Sequence, residues 1–248
     1  MALLAPPRKN ASPVGGTPSA ADGGLLPESW VDGNGDRRHG FPTPAYLAMK
    51  NLPPGGTAMT AEQFLALPFD NTRAEWVGGE ISYLPMVSQL HGAIQLLLVA
   101  ALLKWRETSG VNAAIRMSNQ GMRVPDRLRE PDVVVMRDRA DDRVGTPAVD
   151  KVWRGADLVV EIVSPDDPRR DTVRKRREYA AGEVGEYWIV DPRNRTARVP
   201  EGRSVTVLVA DAGTPGGWRE RVFREGETAA SEILEGFAVD VTACLAGD

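Results

Sequence analysis

The chain has 248 residues, 42% of them hydrophobic, which is enough for one large domain or two small ones, and one domain is the simpler expectation. Its formal net charge of −4 gives no global basic field, so binding to nucleic acid would have to rest on a local patch. The single cysteine, Cys244, excludes an intrachain disulfide and a cysteine-based zinc cluster and fits a reducing compartment; the cytoplasm is the expected location, with no signal peptide and no membrane role.

Residues 1–57 hold nine prolines and nine glycines without a repeating period, the composition of a disordered tail, with "YLAMK" as one short piece that can order. The folded domain is expected over 58–248. It opens with "TAEQFLAL", where Thr60 and Gln63 have the spacing of a capping box ahead of a short helix. "RAEWVGGEISYL" then alternates about Gly78 and Gly79 as a hairpin. Ser88 caps a long helix with Leu90, Ile94, Leu97, Leu98, Ala101 and Trp105 on one face, stopped by Gly110. "VNAAIRMS", "QGMRVP" and "REPDVVVMR" read as strands, and 139–154 as a polar loop or short helix.

"ADLVVEIVSPDD" (156–167) reads as a strand buried on both faces, "DTVRKRREYAAG" as a helix ended by Gly182, and "EYWIVD" as a strand parallel to the first. Beyond Asp191 the pattern turns antiparallel, with strands in "TARVP", "SVTVLVA" and "WRERVFR", and "SEILEGFAVDVTACLA" covers an edge of the core. The whole implies a mixed α/β fold.

Glu161 is the anomaly, a carboxylate inside an otherwise apolar strand, and such a group requires a partner or a metal. Asp132 stands at the entry of another apolar strand. If the two strands pair, their carboxylates converge, and an all-oxygen pair suits Mg2+ or Mn2+ rather than zinc. Asp171, Lys175 and Tyr179 share a helical stripe that can lay Lys175 on Glu161. Arg170, Arg174 and Arg177 form the adjacent stripe, within six basic residues among the nine at 169–177. Acid pair, lysine and basic helix together suggest phosphodiester hydrolysis, with the arginines on phosphates.

Plainer readings stand beside this one. Asp132 can be a strand-start residue, Glu161 and Lys175 a buried structural pair, and the arginine run a solvated face. Tyr179 is expected to pack on the sheet and His91 to face solvent. With His39 the only other histidine, no histidine-rich metal site can be built.

"EPDVVVM" followed by "ADLVVEIVSPDDPRRDTVRKRREYAAGEVGEYWIVDPRNRTARV" resembles the Uma family of restriction endonucleases, a bacterial group within the PD-(D/E)XK nuclease superfamily. "TAEQFLALP", "AEWVGGEISYLP" and "LEGFAVDVTACL" extend the resemblance over about 58–246. It implies a restriction endonuclease-like core, a mixed central sheet flanked by helices with additional antiparallel strands. It also implies a Mg2+- or Mn2+-dependent endonuclease acting on DNA, and because cleaving both strands needs two active sites a homodimer is expected. Asp132 and Glu161 would hold the metal, with Glu75 as a possible additional acid. The superfamily's lysine position, two residues after the second acid, is Val163 here, and the resemblance suggests that Lys175 takes its place. Alternatives of other classes are an inactive nucleic-acid-binding module with the same fold, or a structural or interaction protein.

Overall fold

The structure, a computed structural model, describes residues 30–31, 37–38, 42–69, 72–118, 121–137, 152–164 and 167–247. Expectations for most of the tail, for His39 and for most of 139–154 lie outside these residues. A two-residue ladder pairs β1 (Trp30–Val31) with β2 (Arg37–Arg38). Next come α1 (Pro44–Met49), α2 (Ala61–Leu65), β3 (Ala74–Val77), β4 (Glu80–Tyr83) and α3 (Gln89–Ser109). They are followed by β5 (Ala113–Met117), β6 (Gly121–Val124), β7 (Arg127–Arg129), β8 (Val133–Arg137), β9 (Val152–Arg154) and β10 (Ala156–Ile162). A π-helical segment (Arg170–Lys175) runs into α4 (Arg176–Ala180), and β11 (Val184–Asp191), β12 (Ser204–Ala210), β13 (Trp218–Arg224), β14 (Thr228–Ala230), β15 (Ala238–Asp240) and α5 (Val241–Ala246) complete the order.

The main sheet has six strands in the order β13-β12-β11-β10-β8-β5. β10 and β11 are parallel, joined by the π-helical segment and α4, and the other pairs are antiparallel. All seven residues of β10 are buried because it has a strand on each side and cover on each face. One face packs Leu158, Val160 and Ile162 against α3 and the C-terminal segment, and the other packs Val159 and Val163 with Tyr179 and Tyr187. A smaller sheet, β4-β3-β7-β6-β9, packs Ala74, Ile81 and Leu128 with Phe64 of α2. Among the described residues no helix is long and apolar enough to cross a membrane.

The Thr60 capping box, the Gly78-Gly79 turn with positive φ at both residues, and the Ser88 and Gly110 caps of α3 all form as expected. Several other expectations need correction. The piece at "YLAMK" orders as α1 with Leu47 buried, as expected, but the order runs on past it to buried Leu52. The expected strand "REPDVVVMR" is two strands, since β7 belongs to the small sheet and β8 to the main one; Pro131, lacking an amide hydrogen, sits at the crossing. Val152–Arg154, expected within a loop or helix, forms a strand parallel to β6. "TARVP" folds into a turn closed by a Thr196–Val199 bridge. Glu183, with φ of 57°, takes the left-handed position after α4. Gly182 serves close packing instead, because a Cβ there would lie 2.7 Å from Val124 Cγ1 of the small sheet. In α3, Gln95 replaces the expected Leu90 on the buried face; its amide donates to the Asp132 carbonyl at 2.6 Å and the Ser118 hydroxyl at 3.2 Å.

Candidate active site

Strand register brings the two acids together. In the antiparallel pair of β8 and β10, Val133 stands opposite Val160, so one residue further sets Asp132 opposite Glu161 on the same face. The Ile162 amide donates to Asp132 Oδ2 at 2.8 Å and fixes that carboxylate where β8 begins.

Helix geometry brings the lysine. Four residues overshoot one α-helical turn by about 40°, so Asp171, Lys175 and Tyr179 would spiral away from a single face. The wider π turn underwinds the first step, and all three are buried. Lys175 Nζ lies 2.7 Å from Glu161 Oε1, 3.5 Å from Glu75 Oε1 and 3.6 Å from Asp171 Oδ1. The Tyr179 hydroxyl donates to the same Glu161 oxygen at 2.5 Å.

The small sheet supplies the rest. Glu75, on β3, accepts from Arg129 Nη1 of β7 at 2.6 Å and from the Glu130 amide at 3.2 Å. Arg129 also grips both oxygens of Glu178 on α4 at 2.7 Å. Arg73, just before β3, donates through Nε to Glu130 at 2.6 Å, and its Nη2 lies 3.5 Å from Asp132 Oδ1. His91 Nε2, from the first turn of α3, is 3.1 Å from that oxygen.

Burial and neighbours divide these groups. Burial opposes the charge of Glu75, but Lys175, Arg129 and the Glu130 amide outweigh it and hold the carboxyl down to about 2. Burial likewise opposes Asp132, yet His91, Lys175 and the Ile162 amide keep it below its usual value. Glu161 goes the other way: burial, against the pull of Lys175 but helped by Asp132 and Asp171, pushes it up to about 8. For Lys175, burial is overcome by Glu161, Glu75 and Asp171, so its value rises and the ammonium stays charged at neutral pH. Lys175 is thus a hydrogen-bond donor and a fixed charge, and it has no free lone pair with which to take a proton.

The structure gathers Glu75, Asp132, Glu161 and Lys175, with Arg170 beside them at 3.4 Å from Asp171. Arg174 and Arg177 are exposed and line a separate shallow cavity with Arg127 and Glu178; Arg174 pairs with Asp167. Tyr179 packs on the sheet as expected and also serves Glu161. The expectation that His91 faces solvent is corrected by its contact with Asp132. Arg73 and Arg129 are site residues that the sequence reading does not include. The alternation of β-structure, which puts Arg73 on the same face as Glu75, is a signal for the first. Nothing local signals Arg129 or His91, whose partners lie 54 and 41 residues away in sequence.

Known proteins share the family and the fold of this chain. A family model named Uma2, described as "Putative restriction endonuclease", matches residues 61–242. The crystal structure of a "putative nuclease belonging to DUF820" from Anabaena variabilis ATCC 29413 aligns with a TM-score of 0.59 at 18% identity, covering 76% of this chain and 98% of that one. Such a likeness establishes the shared fold, a mixed α/β arrangement of sheets and helices. No curated protein matches the chain.

Proposed function

The chain belongs to the Uma2 family, and we propose that it is a metal-dependent endonuclease that hydrolyses phosphodiester bonds in DNA, with the cluster around Asp132 and Glu161 as its active site. The observation that carries this reading is the cross-strand pairing of those two carboxylates beneath a lysine bound to one of them.

Two features fit a hard divalent cation here. The charge of Glu161 is undercompensated by its surroundings, and Asp171 Oδ2 is buried without a hydrogen-bond partner. Among the described residues no three His, Cys, Asp or Glu side chains gather closely enough to hold an ion by themselves. Asp132 and Glu161 would therefore hold Mg2+ or Mn2+ with water and substrate oxygens completing the shell, as suits Mg2+. Once bound, the ion would polarise the scissile phosphate and lower the pKa of a coordinated water.

The protein's own groups do the positioning. Lys175 and Tyr179 fix Glu161 Oε1, Glu75 and Asp171 keep Lys175 charged, and the Ile162 amide fixes Asp132. Arg170 stands beside the site for a phosphate at the scissile position, while Arg174 and Arg177 would take phosphates further along the strand. Cutting both strands needs two such sites, which favours a twofold homodimer. We place the activity in the folded domain over 58–248 and the protein in the cytoplasm.

A second reading, a nucleic-acid-binding module without turnover, is favoured by one observation. Val163, at the superfamily's lysine position, is buried and apolar. One experiment separates the two: cleavage of plasmid and single-stranded DNA with Mg2+ or Mn2+, beside Glu161→Gln and an EDTA control. Metal-dependent cuts that vanish in the variant are expected. Equal inactivity of folded wild type and variant, with DNA binding retained by both, would establish the module instead.

A further inference from the structure

The acids and the lysine at the centre of the site are sealed, and the more exposed groups around Asp132 are basic. Glu75, Lys175, Glu161 and Asp132 expose 2%, 2%, 3% and 6% of their side chains, whereas Arg73 exposes 19%, His91 13% and Arg170 23%. A ligand approaching Asp132 meets that rim first.

Arg73 has one strong anchor and one weak contact. Glu130 holds Nε at 2.6 Å, while Nη2 is 3.5 Å from Asp132 Oδ1, beyond a good hydrogen bond but close enough to compensate the charge. Asp132 Oδ2 is committed to the Ile162 amide. Oδ1, free of any backbone amide and approached from the rim by His91 Nε2 at 3.1 Å and by Arg73 at 3.5 Å, is therefore the oxygen an ion would share, and of the two neighbours Arg73 is the one with a fixed charge. A guanidinium and a divalent ion repel at such a distance. The guanidinium is also planar with five donors, so Glu130 can keep Nε while the Nη groups serve another acceptor.

We infer that Arg73 is a two-position residue. It covers Asp132 Oδ1 while no ion is bound. When an ion takes that oxygen, its Nη donors turn to a non-bridging oxygen of the phosphodiester, with Glu130 as the pivot in both states. The inference rests on the nuclease reading and adds to it a phosphate-binding residue that competes with the metal in the absence of substrate.

The test uses the full chain and two readouts that need no turnover. These are Mn2+ affinity without nucleic acid, from the electron paramagnetic resonance signal of the free ion, and anisotropy of a labelled mixed-sequence duplex in Ca2+. Arg73→Gln keeps a donor for Glu130 but removes the competing charge, so it should bind Mn2+ about fivefold more tightly and the duplex about fivefold more weakly. Arg73→Lys keeps the charge but loses the planar fork; wild-type Mn2+ affinity with weakened duplex binding is expected. A residue that only supports the fold would weaken both readouts together.

Weaker Mn2+ binding by Arg73→Gln, or unchanged duplex affinity, overturns the inference, and Arg73→Lys decides the matter if the glutamine variant does not fold. Wild-type protein that takes up neither Mn2+ nor DNA overturns the nuclease reading and the inference with it. Wild type that takes up both, with the Arg73 variants indistinguishable from it, overturns the inference alone.

Discussion

The two sides of the segment 170–180 carry the same kind of residue to opposite ends. On the inner side Lys175 is buried among three carboxylates, each within 3.6 Å. On the outer side Arg174 and Arg177 stand in solvent, Arg174 with 57% of its side chain exposed against Asp167. Low dielectric makes the inner charge indispensable once its partners are in place, whereas water screens the outer pair until it contributes little. Basic residues only one and two positions apart therefore divide into a buried electrostatic centre and an exposed, solvent-screened flank.

The sharpest way to break that comparison is Lys175→Met, which strands Glu75, Glu161 and Asp171 without their shared cation. We expect a loss of about 3–5 kcal/mol in urea unfolding, recovered in part by adding Glu161→Gln. A near-neutral single variant would mean that the inner charge is no more important than the outer ones.

The next effect is one of pH. In metal-free protein Glu161 titrates near 8 against an ordinary 4.5, so between these values the folded state keeps a proton that the unfolded chain has released. The stability this proton confers is present below about pH 4.5, declines as pH rises and is gone above about 8. Unfolding in EDTA at pH 5, 7 and 9 should show wild type falling relative to Glu161→Gln, by on the order of a few kcal/mol across the window.

Smaller again is Tyr179→Phe, which removes one donor from Glu161 and leaves Lys175 in place. A loss of about 1–2 kcal/mol in the same assay is expected. The outer side should respond least in stability: Arg174→Ala should shift it by less than about 1 kcal/mol. Its effect should appear in DNA binding, where the slope of log affinity against log salt would shrink by about 0.9 for each phosphate that the side chain had neutralised.

Much of the inner side is legible in the sequence, and much of its surroundings is not. Glu161 betrays itself by being acidic in an apolar strand, Asp132 by its place at a strand entry, and Lys175 by four-residue spacing from Asp171. Each of these signals is local. Arg129 and His91 depend on where the chain leaves one sheet for the other at Pro131, and a continuous run from Arg129 to Arg137 conceals that switch. The arginine stripe misleads for a different reason. Spacing of 170, 174 and 177 makes one row on a regular α-helix, but the π turn rotates Arg170 toward the acids and leaves the other two outside. An i→i+5 bonding pattern leaves no mark in residue periodicity that distinguishes it from i→i+4 over so short a span.

Gly182 shows how far the tolerance of the site reaches beyond its chemistry. A methyl group there would collide with Val124, and the adjoining Glu178 carbonyl, 3.2 Å from the same point, leaves no room on the other side. The end of α4 is thus gauged against the small sheet with no spacer at all, and the helix that carries Lys175 is set at its far end by the absence of a side chain. For mutational drift, this makes Gly182→Ala, a change that alters neither charge nor polarity and meets no left-handed backbone, a step the protein can take only by shifting Val124 or the end of α4.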